Sequence, residues 1–284
     1  MAILIQNKGL SGRFKISGNS TGGFKARYVG SSIDADAQAF FDRVTTAGGV
    51  LTATERSAII TLVASLKSAN IWNAMKAVYP MVGSSSVACA QNLKSSSFTG
   101  TFSSGWTIAS TGIVGNGTSA FMDTGFNTST NLVKTSVHLS LYIRNNSSTG
   151  QPYELANGSI GGMTTDITGL QTRYSNNNAY FYAADNGTYS TSYSTAESRG
   201  FWCGSRSLNV QTLYRNGAQV ASTAAGSGNL ANNNLYLGAA NNGGAAGFFS
   251  DKIFAFASIG TEISAVADFY TAVQAFQTTL GRQV

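Results

Sequence analysis

One histidine, two cysteines and twelve carboxylates are the residues of these 284 best suited to acid–base or metal chemistry. A Ser-His-Asp relay would have to use His138, and no Gly-x-Ser-x-Gly elbow is present to raise a serine towards it. Val137, Leu139, Leu141 and Ile143 alternate with His138, Ser140, Tyr142 and Arg144. That period of two describes a half-buried strand with the histidine on its polar side, where a solvated or hydrogen-bonded surface imidazole is expected. Cys89 and Cys203 are too few for a disulfide scaffold and lack the paired spacing of a zinc site, so two free, buried thiols are expected. No metal and no cofactor is predicted.

Glycoside hydrolysis needs two facing carboxylates. In lectin-like glucanases these alternate along one strand as Glu-x-Asp-x-Glu, and nothing here matches. Asp34 and Asp36 stand two apart, but at the start of a helix, where capping and the helix dipole account for them. Glu55, Glu154, Glu197 and Glu262 are scattered, and a pair assembled across strands cannot be read from sequence. The glycine-rich Gly243-Gly244-Ala245-Ala246-Gly247 lacks the Gly-Lys-Ser/Thr ending of a phosphate loop. The expectation is a protein that is not an enzyme.

What remains is binding. Tyr174, Tyr180, Phe181, Tyr182, Tyr189 and Tyr193 crowd one stretch, with Asn176, Asn177, Asn178, Asp185 and Asn186 between them. Aromatic faces stack on sugar rings while amides and carboxylates bond hydroxyls, so Tyr174, Tyr180, Tyr182, Asp185 and Tyr189 form a candidate glycan- or partner-binding set. The same residues also read as ordinary strand and turn residues. A second candidate is electrostatic. Lys8, Arg13, Lys15, Lys25 and Arg27 precede the first acid, and the rest of the chain carries thirteen basic against twelve acidic residues. The excess therefore belongs to an N-terminal arm (residues 1–32), which suits anchoring on an acidic partner protein better than nucleic acid.

The elements that must position these residues are mostly strands. Only 11% of residues are charged, Gly, Ser, Thr and Asn abound, and two prolines occur, a balance that suits short strands and many turns. The arm reads as a hairpin, Arg13–Ile16 and Phe24–Tyr28 around a Gly-rich turn, packed on its own domain or on a partner. Residues 33–70 read as a helical hairpin. Its first helix buries Ala37, Phe40, Phe41 and Val44 and stops at Gly48-Gly49; its second starts at the capping box Thr52-Ala53-Thr54-Glu55 and buries Ile59, Ile60, Val63 and Leu66. Residues 71–284 read as a sandwich or barrel, entered by a turn and strand before Pro80, with a tight hairpin at Asn216-Gly217 and later strands at Leu235–Leu237 and Ile253–Ala257. A closing helix, 264–280, is capped by Ser264 and presents Ile263, Val266, Phe269, Tyr270, Val273, Phe276 and Leu280 to a sheet. The opening MAILIQNKG lacks the charged start and long apolar run expected of a signal peptide, and no stretch approaches the eighteen apolar residues of a membrane span.

Three stretches carry a resemblance: Asp34–Phe40 with Trp72–Gly83 and Asn92-Leu93-Lys94, then Tyr214-Arg215-Asn216-Gly217, then Asp268–Val284. Over roughly residues 33–284 the chain resembles laminin-G-like, concanavalin A-like jelly-roll virion proteins of tailed bacteriophages. The resemblance implies a mostly β, two-sheet antiparallel jelly roll, and a structural protein of the virion made in the host cytoplasm. It would be a head or tail fibre, spike or capsid decoration held by the arm to other virion proteins, as a homo-oligomer with a trimer as first expectation. A carbohydrate-binding adhesin that attaches to host-surface glycans is the alternative, and a glycan hydrolase ranks below both. Some laminin-G-like domains bind calcium at the rim, but no ligand set here matches one.

Overall fold

The computed structural model describes residues 33–159, 162–187 and 190–284, and the backbone of residues 12–17 and 25–30. Two compact units emerge, residues 1–34 and 35–284. In the first, β1 (Gly12–Ser17) and β2 (Lys25–Gly30) pair antiparallel. Arg13, Lys15, Lys25 and Arg27 lie on these strands, while their side chains, like the whole of Lys8, fall outside the described residues.

The second unit opens with α1 (Ala35–Thr46), α2 (Ala53–Ser68), β3 (Met75–Tyr79) and α3 (Ser86–Cys89). Then come β4 (Thr101–Phe102), β5 (Trp106–Ala109), β6 (Gly112–Gly115), β7 (Met122–Asn127), α4 (Thr128–Asn131), β8 (Ser136–Ile143), β9 (Leu155–Gly158) and β10 (Ile167–Gln171). β11 (Asn178–Asp185), β12 (Thr191–Ser194), β13 (Gly200–Ser207), β14 (Val210–Arg215) and β15 (Ala218–Ala224) follow. The chain finishes with β16 (Asn234–Leu237), β17 (Ala240–Asn242), β18 (Ala245–Gly247), β19 (Ile253–Gly260) and α5 (Val266–Thr279).

These strands form the expected two-sheet antiparallel sandwich. One sheet has the order β15-β14-β13-β8-β19-β6-β5 with β3 also on β19; the other runs β12-β11-β10-β9-β16-β7-β4, with β17 on β9 and β18 on β17. β17 departs from the antiparallel rule by running parallel to β9. Val137, Leu139, Leu141 and Ile143 of β8 meet Leu155, Leu170, Phe181 and Leu237 of the facing sheet in one core. The sheets pack tightly at Gly204, where an added Cβ would lie 2.1 Å from the Phe181 ring. At Asn216-Gly217 both residues have positive φ, 48° and 80°, the geometry of the predicted tight turn.

A third layer, of helices, covers the outer face of the β8 sheet. Phe40, Phe41, Ile59, Leu62, Val63, Phe269 and Phe276 pack there against Tyr142, Phe201, Cys203 and Phe256. The Thr52–Glu55 capping box is formed on both sides, with the Thr52 side chain accepting from Glu55 N and Glu55 accepting from Thr52 N at 2.8 Å. Leu62 takes a core place and Ile60 only a partly buried one, a rotation of the predicted stripe by less than one residue. Ser264 does not cap α5. Its N-cap is Ala265, without a side-chain bond, because the entry is already fixed from the sheet: Ile263 N donates to Ser205 Oγ at 3.0 Å, and Ser205 Oγ donates to Ile263 O. Among the described residues no helix is long and apolar enough to cross a membrane.

The helical layer also corrects the reading of His138. Its side chain does leave the sandwich core, as alternation demands, but it enters the second core instead of solvent and is fully buried edge-on to Phe269. Nδ1 lies 2.6 Å from Thr261 O and Nε2 3.0 Å from Ser258 Oγ, which in turn lies 2.7 Å from Ser140 Oγ. The carbonyl can only accept, so Nδ1 carries the proton and Nε2 accepts from Ser258. Burial pulls the imidazole down to about 4, the Thr261 bond opposing it. A serine and a histidine therefore do meet, sealed from substrate and with a carbonyl where a relay would need a carboxylate.

Candidate functional site

β11 builds the site by simple alternation. Ala179, Phe181 and Ala183 point into the core, so Tyr180 and Tyr182 stand on the outer face of their sheet, which no helix among the described residues 35–284 covers in the way the other sheet is covered. Across β10, Gln171 lies opposite Tyr180 and Gly169 opposite Tyr182. Gly169 is required by its surroundings: a Cβ there would sit 2.9 Å from Ala156 Cβ and 3.2 Å from the Tyr153 ring. Its absence lets Tyr153 lie down beside Tyr182.

The result is a continuous row of rings. Tyr174 meets Tyr180 edge-on at 6.0 Å, Tyr180 stacks with Tyr182 at 6.0 Å and 24°, Tyr182 meets Tyr153 at 5.9 Å, and Tyr153 meets Phe248 at 5.8 Å. The row floors a groove of about 350 Å³ whose other walls include Gln151, Met163, Gln171 and Asn176. Every described residue lining it is uncharged. Tyr182 Oη donates to Gln171 Oε1 at 3.3 Å, and Gln171 Nε2 donates to Pro152 O at 2.8 Å. The Tyr180 hydroxyl accepts from Asn176 Nδ2 at 2.7 Å and Asn178 Nδ2 at 3.3 Å, which leaves its own proton to be donated elsewhere. Burial pushes Tyr153 up to about 12 and raises Tyr174 and Tyr182 as well, so these phenols stay protonated and neutral.

Tyr174 and Asn176 sit on the β10–β11 turn, where Asn177 adopts φ 60°, a left-handed conformation that asparagine tolerates well. A buried ion pair holds this turn from beneath. Lys252 Nζ lies 2.8 Å from Glu154 Oε1, both side chains fully inaccessible. The other carboxylate oxygen accepts from Thr172 N at 2.6 Å, and Lys252 Nζ donates also to Arg173 O at 3.2 Å. Glu154, one of the four scattered glutamates, is thus a support under the groove and not a wall of it.

Three of the five predicted binding residues, Tyr174, Tyr180 and Tyr182, come together here. Asp185 does not: it follows Ala184, the extra residue opposite the Ile167/Thr168 register shift, and is fully buried, where its charge acts on the Arg206 guanidinium. Tyr189 lies outside the described residues. Tyr193 turns inward and packs against Trp202 at 6.5 Å. Tyr153, Gln171 and Phe248 also line the groove and were not singled out from the sequence; alternation with buried Leu170 could have pointed to Gln171, but the other two come from loops. Cys89 and Cys203 are free and buried, and no cluster among the described residues has the composition of a metal site.

The sequence matches no protein-family model and no curated protein. Among solved structures it is similar to the CBM40 of a Ruminococcus gnavus IT-sialidase, at 12% identity over 53% of this chain and 92% of that one, TM-score 0.39. It is similar also to NanB sialidase of Streptococcus pneumoniae (14% identity, TM-score 0.37, 46% of this chain) and to domains LG4-5 of the mouse laminin alpha1 chain (15%, TM-score 0.32, 46% of this chain and 37% of that one). The chain spans 23% of the length of that sialidase structure. The R. gnavus CBM40 is also known bound to alpha2,3 sialyllactose. None of these is a virion protein. Likeness at this level leaves the chemistry of the groove to be argued from its own residues.

Proposed function

We propose that residues 35–284 form a carbohydrate-binding module, with the tyrosine-floored groove on the outer face of the β11 sheet as its site. The observation that carries this reading is the pairing of stacked, outward-facing Tyr180 and Tyr182 with amide groups at their edges. Ring faces suit the C–H faces of a sugar, and Asn176, Gln171 and the Tyr180 hydroxyl suit its hydroxyls. We read the site as binding without turnover. This is supported by the lack of any carboxylate among the described lining residues, and by Glu154 being engaged with Lys252 and Thr172. The test is a glycan array followed by calorimetry on the best ligand, with Tyr180→Ala and Tyr182→Ala beside the parent chain. Each variant should weaken binding at least tenfold, about 1.4 kcal/mol, with circular dichroism unchanged. Undiminished binding by both would remove the groove from consideration.

A second reading concerns deployment. The arm falls in a compact unit of its own, residues 1–34, and holds all five basic residues that precede the first acid. This favours an anchored display protein, of which a phage fibre, spike or decoration located in the virion is the form the sequence resemblance implies. Light scattering on the full chain and on a chain beginning at Ser32 tests it. An oligomer, a trimer by first expectation, that falls to monomer on truncation supports an assembly role for the arm; two monomers count against self-assembly.

A further inference from the structure

From the charge inventory of the groove we infer that its ligand is an uncharged saccharide and that the site discriminates against acidic sugars. The inference rests on the carbohydrate-binding reading and narrows it.

A carboxylate brought out of water must meet a cation or several N–H donors, or it keeps much of its desolvation cost. The groove supplies no cation, and its side-chain N–H donors are amides alone. Its described lining is Tyr, Phe, Met, Gly and the amides Gln151, Gln171 and Asn176, and burial keeps Tyr153, Tyr174 and Tyr182 in their protonated form. The amides are partly spent as well, Gln171 Nε2 on Pro152 O and Asn176 Nδ2 on Tyr180 Oη.

The cations closest in sequence are engaged elsewhere. Lys252 is sealed beneath the β10–β11 turn against Glu154 and the Arg173 carbonyl. Arg173 directs Nη1 to Asn146 Oδ1 at 2.9 Å and Nε and Nη2 to Asn177 Oδ1 at 3.1 and 2.7 Å. Long-range attraction does not compensate, because from Asp34 onwards the chain carries thirteen basic against twelve acidic residues. What the groove does offer, stacked ring faces and neutral donors and acceptors at their edges, is complementary to a pyranose bearing hydroxyls alone.

The experiment is an array in which neutral oligosaccharides are printed beside their sialylated or uronylated counterparts, probed with the full chain and with Tyr180→Ala. Neutral ligands should bind, their acidic counterparts at least tenfold more weakly, and both signals should fall in Tyr180→Ala. Gln151→Lys places a cation at the exposed rim and should narrow the ratio of neutral to acidic binding several-fold. Acidic forms that bind as well as or better than neutral ones, with the signal lost in Tyr180→Ala, overturn the charge selection while the carbohydrate reading stands. Absence of any saccharide signal, or a signal indifferent to Tyr180→Ala, overturns both.

Discussion

Acidification should weaken this fold through one imidazole. His138 is completely buried and holds its proton only below about 4, against 6.5 when the ring is solvated. Above pH 6.5 the ring is neutral in both folded and unfolded chains and adds no pH dependence. As pH falls below 6.5 the unfolded chain takes up a proton that the folded chain refuses, so stability drops steadily until about pH 4, where the folded ring is protonated as well and the loss levels off. The interval between 6.5 and about 4 corresponds to about 3 kcal/mol. That is a sizeable part of the roughly 5–15 kcal/mol by which domains are stable. Urea unfolding at pH 7.5, 6.0, 5.0 and 4.2, followed by tryptophan fluorescence, reads it directly. Carboxylates titrate at the acid end of the same range, so the informative quantity is the difference between the parent chain and His138→Gln. The variant is expected to start less stable, because the Ser258 and Thr261 bonds are rearranged, and to lose about 3 kcal/mol less between pH 7.5 and 4.2. Parallel pH profiles for the two chains would refute the argument.

Removing one member of the buried ion pair leaves the other charge without its counterion: Lys252→Met should cost about 3–5 kcal/mol in urea unfolding and weaken glycan binding through the Tyr174 turn, whereas the double change Glu154→Gln with Lys252→Met should recover part of the stability. Gly204→Ala drives a methyl into the Phe181 ring and should lower stability by about 1–3 kcal/mol or more, a loss that Phe181→Leu partly relieves in thermal melts. Thr52→Ala removes one half of the capping box and should cost about 1 kcal/mol by the same measurement, with no effect on the distant groove.

Local rules made much of the fold legible. Thr52 and Glu55 announced a helix start, Asn216-Gly217 a tight turn, and the alternation of β8 its division between two faces. What alternation cannot say is what lies over each face. A strand with one polar face looks the same whether that face meets water or a second core that has absorbed its hydroxyls and imidazole, and so His138 was placed correctly on the strand and wrongly in solvent. The groove was half readable for a similar reason. Tyr180 and Tyr182 flank inward Phe181 on one strand, so their common face follows from period two. Tyr153 and Phe248 join them only through tertiary packing, and Glu154 meets Lys252 across 98 positions, a distance over which no spacing rule operates. Asp185 shows the opposite failure: a residue type suited to sugars, close in sequence to the tyrosines, is buried after a register shift that composition does not announce.

The clasp at the end of the helical layer bears on how the chain can be made. Arg282 is almost wholly enclosed, its guanidinium donating to the carbonyls of Met81, Pro80 and Ala255 and to Gln277 Oε1. The neighbouring Val284 N donates to the hydroxyl of Tyr142. β19, between β8 and β6 in its sheet, is likewise needed by β3, which leaves the ribosome some 180 residues earlier. A growing chain therefore carries β3, β6 and β8 with unfilled hydrogen-bonding edges through most of its synthesis, and the sheet can complete itself only when residue 260 has emerged. Folding is then a late, concerted event in translation, and for that whole interval the apolar strands β3 and β8 present unpaired edges on which neighbouring chains can pair.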